Sequence, residues 1–291
     1  MGNTLAVGDL TMHRIIEQET TFLPALDLFP ALTPDLLAEN RSWMQSAGAL
    51  DANDVLILCF QSYIIKTPHH TILVDSCIGN DKPRPLRPKW NMKTDDTFMR
   101  ALAGAGISVK DIDFVMCTHL HVDHVGWNTR LEGGRWVPTF PNARYIFGKT
   151  EFDYWTEQHA NTPVPPFGDS VLPVVEAKRA EIVHNDYEIG DHVRIQPTPG
   201  HTPGHVAFTF GRRKDDAVFS GDLMHSPLQT RHPDISPRFD VDPTLAAKTR
   251  RGFLERYCDT DTLCCTAHFP SPSTGRIRRL GSGFSCEAVA R

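Results

Sequence analysis

Apolar residues along this chain gather into short runs rich in Val, Ile, Leu and Phe, each closed by Gly, Pro, Asn, Asp or His, the signature of buried strands. Residues 54–66 and 71–77 read as two such strands, joined by the turn-like Thr67-Pro68-His69-His70. Residues 97–105 carry helical spacing with Gly106 near the end, and they lead into the apolar run 113–117. Further strands are predicted over 143–148, 192–196, 205–211 and 217–220. Pro243–Tyr257 is the clearest late helix, with Asp242 suited to the N-cap and Pro243 to the first turn; a strand over 262–267 follows it. Strands and helices thus alternate in two batches. That pattern predicts an α/β chain built as an αβ/βα sandwich, two sheets packed face to face with helices outside.

Three segments fall outside this scheme. Residues 21–46 carry Phe22, Leu23, Leu28, Phe29 and Trp43 among prolines and suit an N-terminal lid or a homodimer face. Residues 79–92 are rich in Pro, Lys and Arg, and residues 161–168 hold three prolines and Phe167. Long irregular segments near a site often cover it.

The chemistry concentrates at the end of the 113–117 strand. Thr118-His119-Leu120-His121-Val122-Asp123-His124 places four metal-ligand side chains within six residues, at the strand end where α/β sheets carry their sites. His119 and His121 alternate along extended backbone and share a face, while Asp123 and His124 lie past the turn and can reach a second ion. A histidine-rich run can also be a solvated loop. Here, however, more ligand types follow at other strand ends: Pro199-Gly200-His201, Ser220-Gly221-Asp222 and Thr266-Ala267-His268. These ligands are spread from His119 to His268, so residues 1–291 are expected to fold around one site as a single domain.

The order His-x-His-x-Asp-His, Pro-Gly-His, Gly-Asp and a late His resembles the metallo-β-lactamase-fold hydrolase superfamily, and Thr71-Ile72-Leu73-Val74-Asp75 is similar to its early strand ending in Asp. The likeness runs from about residue 55 to 270. Within the superfamily, Gly221-Asp222-Leu223-Met224-His225, Gln229 and the Trp127-Asn128 pair are more similar to the branch of methyl parathion hydrolases and N-acyl-homoserine lactonases.

The resemblance implies one metal held by His119, His121 and His201, a second held by Asp123, His124 and His268, and Asp222 bridging the two. Two divalent ions are implied, zinc first, with manganese, iron or cobalt suited to the same donors. Shared anions offset the repulsion of two close dications, and a metal-bridging hydroxide would attack an ester, lactone or phosphotriester at neutral pH. Asp75 would hold a ligating histidine from behind. Lactonases of this fold often place a tyrosine three residues after the bridging Asp. Here that position is His225, a candidate auxiliary acid or pocket-wall residue. Asp123, Asp222 and His225 therefore carry the catalytic role in this reading, and His205 matches a position that is often not a ligand. Trp43, Trp127, Phe140 and Phe167 are candidates for an apolar substrate pocket, which would select a hydrophobic ester, lactone or organophosphate.

Composition narrows the field. A formal net charge of −5 with pI near 6.3 argues against a nucleic-acid partner. Two basic clusters, 82–89 and 276–279, read as short solvated faces. Seven scattered cysteines point to a reducing compartment, and with neither a leader pattern nor a membrane-length apolar run the expected location is cytoplasmic. Three rivals remain at this stage: an iron-dependent redox enzyme of the same fold, such as a persulfide dioxygenase; a thioesterase; and a binding protein that keeps metal for structure. A structural site would be coordinatively closed, whereas seven ligands shared by two ions leave positions open.

Overall fold

In the computed structural model, which describes residues 4–212 and 214–289, these elements sort into two compact units. The first is Phe60–Tyr187 with the leading chain through Glu17; the second is Gln18–Cys59 with the chain from Glu188 onward. Along the chain the strands are β1 (Thr4–Val7), β2 (Leu10–Pro24), β3 (Val55–Lys66), β4 (Thr71–Val74), β5 (Phe114–Met116), β6 (Thr129–Glu132), β7 (Arg135–Pro138), β8 (Arg144–Gly148), β9 (Ala180–Val183), β10 (Glu188–Ile189), β11 (Val193–Pro197), β12 (Val206–Phe210), β13 (Ala217–Phe219), β14 (Leu263–Cys265), β15 (Thr274–Leu280) and β16 (Gly283–Ala288). The helices are α1 (Ala25–Leu28), α2 (Pro34–Ser46), α3 (Thr97–Gly104), α4 (Lys149–Asn161), α5 (Pro165–Ser170), α6 (Leu172–Glu176), α7 (Leu228–Arg231) and α8 (Pro243–Tyr257).

One seven-stranded sheet is ordered β1-β2-β3-β4-β5-β8-β9, with β4, β5, β8 and β9 parallel. Parallel strands covered on both faces need unbroken apolar composition. Ile72, Leu73, Val74, Val115 and Met116 supply it, all buried. Phe98 and Leu102, one turn apart on α3, press into the same core, where Phe98 stacks on Trp127 with ring centroids 5.2 Å apart. The second sheet is ordered β10-β11-β12-β13-β14-β15-β16, and within it only the β13–β14 pair is parallel among the described residues. That pair is joined through α8. The α8 N-terminus is capped as its sequence predicts: Asp242 accepts a hydrogen bond from Leu245 N at 2.9 Å, and Pro243 occupies the first turn.

Several expectations need correction. The strand predicted over 71–77 stops at Val74, because Asp75 and Cys77 adopt φ of 56° and 49° and turn the chain out of the sheet. Residues 21–46 are not irregular. They form the end of β2, α1 and α2, and Leu28, Phe29, Leu37 and Met44 bury into the second unit. Thr33 accepts from Leu36 N, with Pro34 at the first turn, so α2 had a cap signal that its polar face obscured. The 276–279 cluster lies on β15, paired with β16, where its arginines are half-buried to exposed, in keeping with a solvated face, and Ile277 between them is fully buried. Part of 161–168 is α5, which begins at Pro165.

The 82–89 cluster is not simply a solvated face. Arg84 makes a bidentate pair with Asp169 on α5, at 2.7 and 2.8 Å. Lys82 donates to Thr129 Oγ1 at 2.8 Å, sits 3.6 Å from Asp169 Oδ1 and lies 3.8 Å above the Trp136 ring. Burial pushes the Lys82 ammonium down to about 8, against the pull of the Asp169 charge. The unfolded chain holds this proton up to about 10.5 and the folded chain only to about 8, so the unfolded state binds more protons between those values. Stability contributed through Lys82 therefore rises with pH across that window, by up to about 1.4 kcal/mol per pH unit. Urea unfolding of Lys82→Met beside the parent at about pH 8 and about pH 10 should show the parent gaining relative to the variant. Equal pH slopes would mean that Lys82 keeps an ordinary pKa.

Candidate metal centre

In the first unit the motif begins as the chain leaves β5, and the turn after β4 holds it in place. Ser76 N donates to His124 O at 2.7 Å, and Gly126 N and Trp127 N donate back to Cys77 O and Ser76 O. The Asp75 carboxylate ties both ends of the motif. It accepts from Thr118 N at 2.7 Å, from Thr118 Oγ1 at 2.9 Å and from His124 Nδ1 at 2.9 Å. The last contact fixes the His124 tautomer and presents Nε2, which lies 3.9 Å from Asp123 Oδ2. His119 Nε2 and His121 Nδ1 converge to 3.0 Å. A further carboxylate, Glu151 in the first turn of α4, accepts from Leu120 N and from Trp155 Nε1, and the Trp155 ring packs edge-on against His121.

In the second unit three histidines surround Asp222, which lies in the turn after β13. His268 Nε2 is 2.9 Å from Asp222 Oδ1, while His201 Nε2 and His225 Nε2 are 3.3 and 3.1 Å from Oδ2. Asp222, His225 and His268 offer ligand atoms within 4.8 Å of one another. The far side of each outer imidazole is anchored: His201 Nδ1 by Asp240 Oδ1 at 2.8 Å, and His268 Nδ1 by the Cys59 carbonyl at 3.0 Å. His205 is not turned to the cluster as a donor. Its Nδ1 bonds to Thr198, and its Nε2 accepts from Asp222 N at 3.0 Å, steadying the turn that carries the carboxylate.

This donor set fits divalent metal. Burial works to lower the pKa of His201, yet hydrogen bonds to Asp222 and Asp240, with their charges, carry it up to about 9. Two carboxylates around one imidazole create a demand for positive charge there, which a cation meets with the ring neutral. His225 shifts the other way, because burial outweighs the Asp222 charge. Its ring stacks on His268 with centroids 5.2 Å apart, and its Nδ1 is buried without a hydrogen-bond partner among the described residues.

The aromatic pocket expectation is largely corrected. Trp127, Phe140 and Phe167 belong to the core of the first unit, with Phe140 and Phe167 enclosed and the Trp127 indole N–H donating to Glu17 at 2.8 Å. Such large flat side chains close the space between helices and sheet. Trp43 lies in the second unit, where the Arg231 guanidinium covers its ring at 3.8 Å, and it lines a cavity of about 340 Å³. Sequence reasoning missed Asp240, Glu151 and Arg250, whose links to the ligands or to the backbone beside them span 27 to 39 residues; no local motif marks them.

Comparison with known proteins agrees with this chemistry. Residues 61–268 match the family model described as the metallo-beta-lactamase superfamily, and the chain belongs to that superfamily. An N-acyl homoserine lactonase of Bacillus thuringiensis is 27% identical over 220 residues, covering 72% of this chain and 80% of the relative. A second, from a Bacillus species, is 27% identical over 183 residues, covering 59% of this chain and 66% of that enzyme. Among solved structures, the hydrolase AbOPH aligns with a TM-score of 0.84 at 20% identity, covering 100% of this chain and 98% of its own. AidC, a dizinc quorum-quenching lactonase with a bound product, aligns at 0.78 and 21%, with the same coverage. These likenesses show the fold: a mixed α/β chain with two large sheets, as in the metallo-β-lactamases. No helix among the described residues is long and apolar enough to cross a membrane.

Proposed function

We propose that this protein, a metal-dependent hydrolase by family, opens the ring of hydrophobic lactones at two divalent ions, zinc first, within a single functional domain. His119, His121, Asp123, His124, His201, Asp222 and His268 are the candidate ligands for the pair. The observation that carries the reading is the disposition of Asp222: its two oxygens face different histidines, His268 at 2.9 Å and His201 at 3.3 Å, as a carboxylate shared between two ions requires. Lactone is preferred over aryl ester or phosphotriester because the similar Bacillus proteins are named N-acyl homoserine lactonases. A cytoplasmic location belongs to the same reading, since seven cysteines with no disulfide among the described residues suit a reducing compartment.

Two bound divalent ions supply a hydroxide nucleophile at neutral pH and polarise the carbonyl under attack. Asp222 balances charge at the centre and keeps the His201 and His268 donors on opposite sides of itself. Asp75 holds His124 in one tautomer and fixes the start of the motif through Thr118, so that the cluster does not need to reorganise during turnover. Addition of OH to the acyl carbon and cleavage of the ring C–O bond would leave a carboxylic acid and an alkoxide, and transfer of the acid's proton to the alkoxide gives the carboxylate and the alcohol. His225, buried 3.1 Å from Asp222, would hydrogen-bond that oxygen as its proton arrives.

The test is metal content per chain on protein purified without added metal, with turnover on an N-acyl homoserine lactone, an aryl ester and a phosphotriester. Near two zinc per chain with lactone hydrolysis fastest is expected. Iron with oxygen consumption and no hydrolysis would overturn the reading. His225→Ala should keep both metals and lose about 10²-fold in kcat on alkyl lactones, with a smaller loss on aryl esters, whose leaving group needs no acid. An equal loss on all substrates would assign His225 to positioning instead.

A further inference from the structure

Arg250, in the middle of α8, has no exposed surface, and all of its hydrogen bonds lie within the second unit. Its Nε donates to Leu223 O at 2.7 Å, one guanidinium nitrogen donates to Pro233 O and Ile235 O at 2.7 and 3.0 Å, and the other meets Asp240 Oδ2 at 3.2 Å. Leu223 directly follows Asp222, and the second oxygen of Asp240 holds His201 Nδ1. Gln229 joins the same hub: its Nε2 donates to Ile235 O, and its Oε1 accepts from His225 N at 2.6 Å.

We propose that Arg250 and Asp240 are positioning residues for metal binding, a single buried ion pair that sets the His201 ring and the Asp222 turn relative to each other. The proposal rests on the reading of His201 and Asp222 as ligands. Its physical basis is the cost of the arrangement. A buried ion pair is often no more stabilising than apolar residues of the same volume, so stability alone gives little reason for a fully enclosed guanidinium. The pair does what apolar packing cannot. Asp240 directs the His201 Nδ1–H away from the cluster, so that Nε2 faces inward with its lone pair, and the carboxylate makes the ring a stronger donor. Arg250 holds that carboxylate in place while restraining the peptide beside Asp222.

The experiment is zinc affinity, measured by competition with a chromophoric chelator on full-length protein stripped of metal, alongside apoprotein melting. Asp240→Asn retains an acceptor and the shape but removes the charge. It should weaken zinc binding about 10–100-fold and, because it leaves the buried Arg250 charge uncompensated, lower the apoprotein Tm as well. Asp240→Leu/Arg250→Met replaces the pair with apolar side chains and should fold, yet show a loss at least as large. Wild-type affinity in either variant overturns the proposal. His201→Ala, run in parallel, separates the two levels: it should lose one zinc per chain, and retention of both would bring down the ligand assignment itself.

Discussion

Asp222→Asn is expected to abolish turnover, with a loss of 10³-fold or more, and to drop metal content well below two per chain. The carboxylate has one oxygen toward His268 Nε2 and the other toward His201 and His225 Nε2. An amide presents one oxygen and one NH2, so one side of the cluster would meet a donor where it now meets an acceptor. The buried negative charge would also vanish from between two dications. Removing one member of a buried charged cluster typically costs about 3–5 kcal/mol, which equals roughly 10²–10⁴ in an equilibrium constant. Elemental analysis of the purified variant with kcat/KM on the best lactone checks both parts. Full activity with two metals retained would sink the bridging assignment.

The second large effect is expected at Gly200, next to His201. Its φ of +134° is a conformation that L side chains rarely adopt, and a Cβ there would run into the Ala246 backbone N and Cα, with the Ala246 methyl at 2.8 Å. The close approach exists because Gly200 O accepts from Asp242 N, the cap residue of α8. Gly200→Ala therefore has to push the His201 turn away from the helix that carries Arg250. Backbone strain of about 1–3 kcal/mol and overpacking of about 1–3 kcal/mol together predict a Tm fall of about 5 °C or more, accompanied by loss of zinc. A variant that melts with the parent and binds zinc normally would show that the turn has room to relax.

The candidate ligands were legible because metal chemistry calls for a local imprint: His and Asp at fixed spacing, just beyond apolar strands such as β5, β13 and β14, whose boundaries the sequence reading placed within about two residues. The α8 cap was equally local. What supports the ligands was not legible, since Asp240 meets His201 across 39 positions and nothing in its neighbourhood says so. β2 escaped notice because its buried positions include the charged Arg14 and Glu17 and alternate with Thr11 and His13 instead of forming one apolar run. The aromatic pocket failed for the opposite reason: a large ring beside a motif looks like a substrate contact, yet Phe140 and Phe167 are fully enclosed by core.

The parallel pairing of β13 with β14 sets Phe219 opposite Cys265, so Asp222 and His268 each emerge three residues beyond paired positions. The sheet thus delivers two ligands side by side, whatever the intervening chain does. That connection, running through α7, the 232–242 loop and α8, itself carries His225, Gln229, Asp240 and Arg250, which face or hold Asp222 and His201. The centre thereby draws on two sources within one polypeptide, a pair of neighbouring strand ends and a crossover whose length is constrained at those four residues.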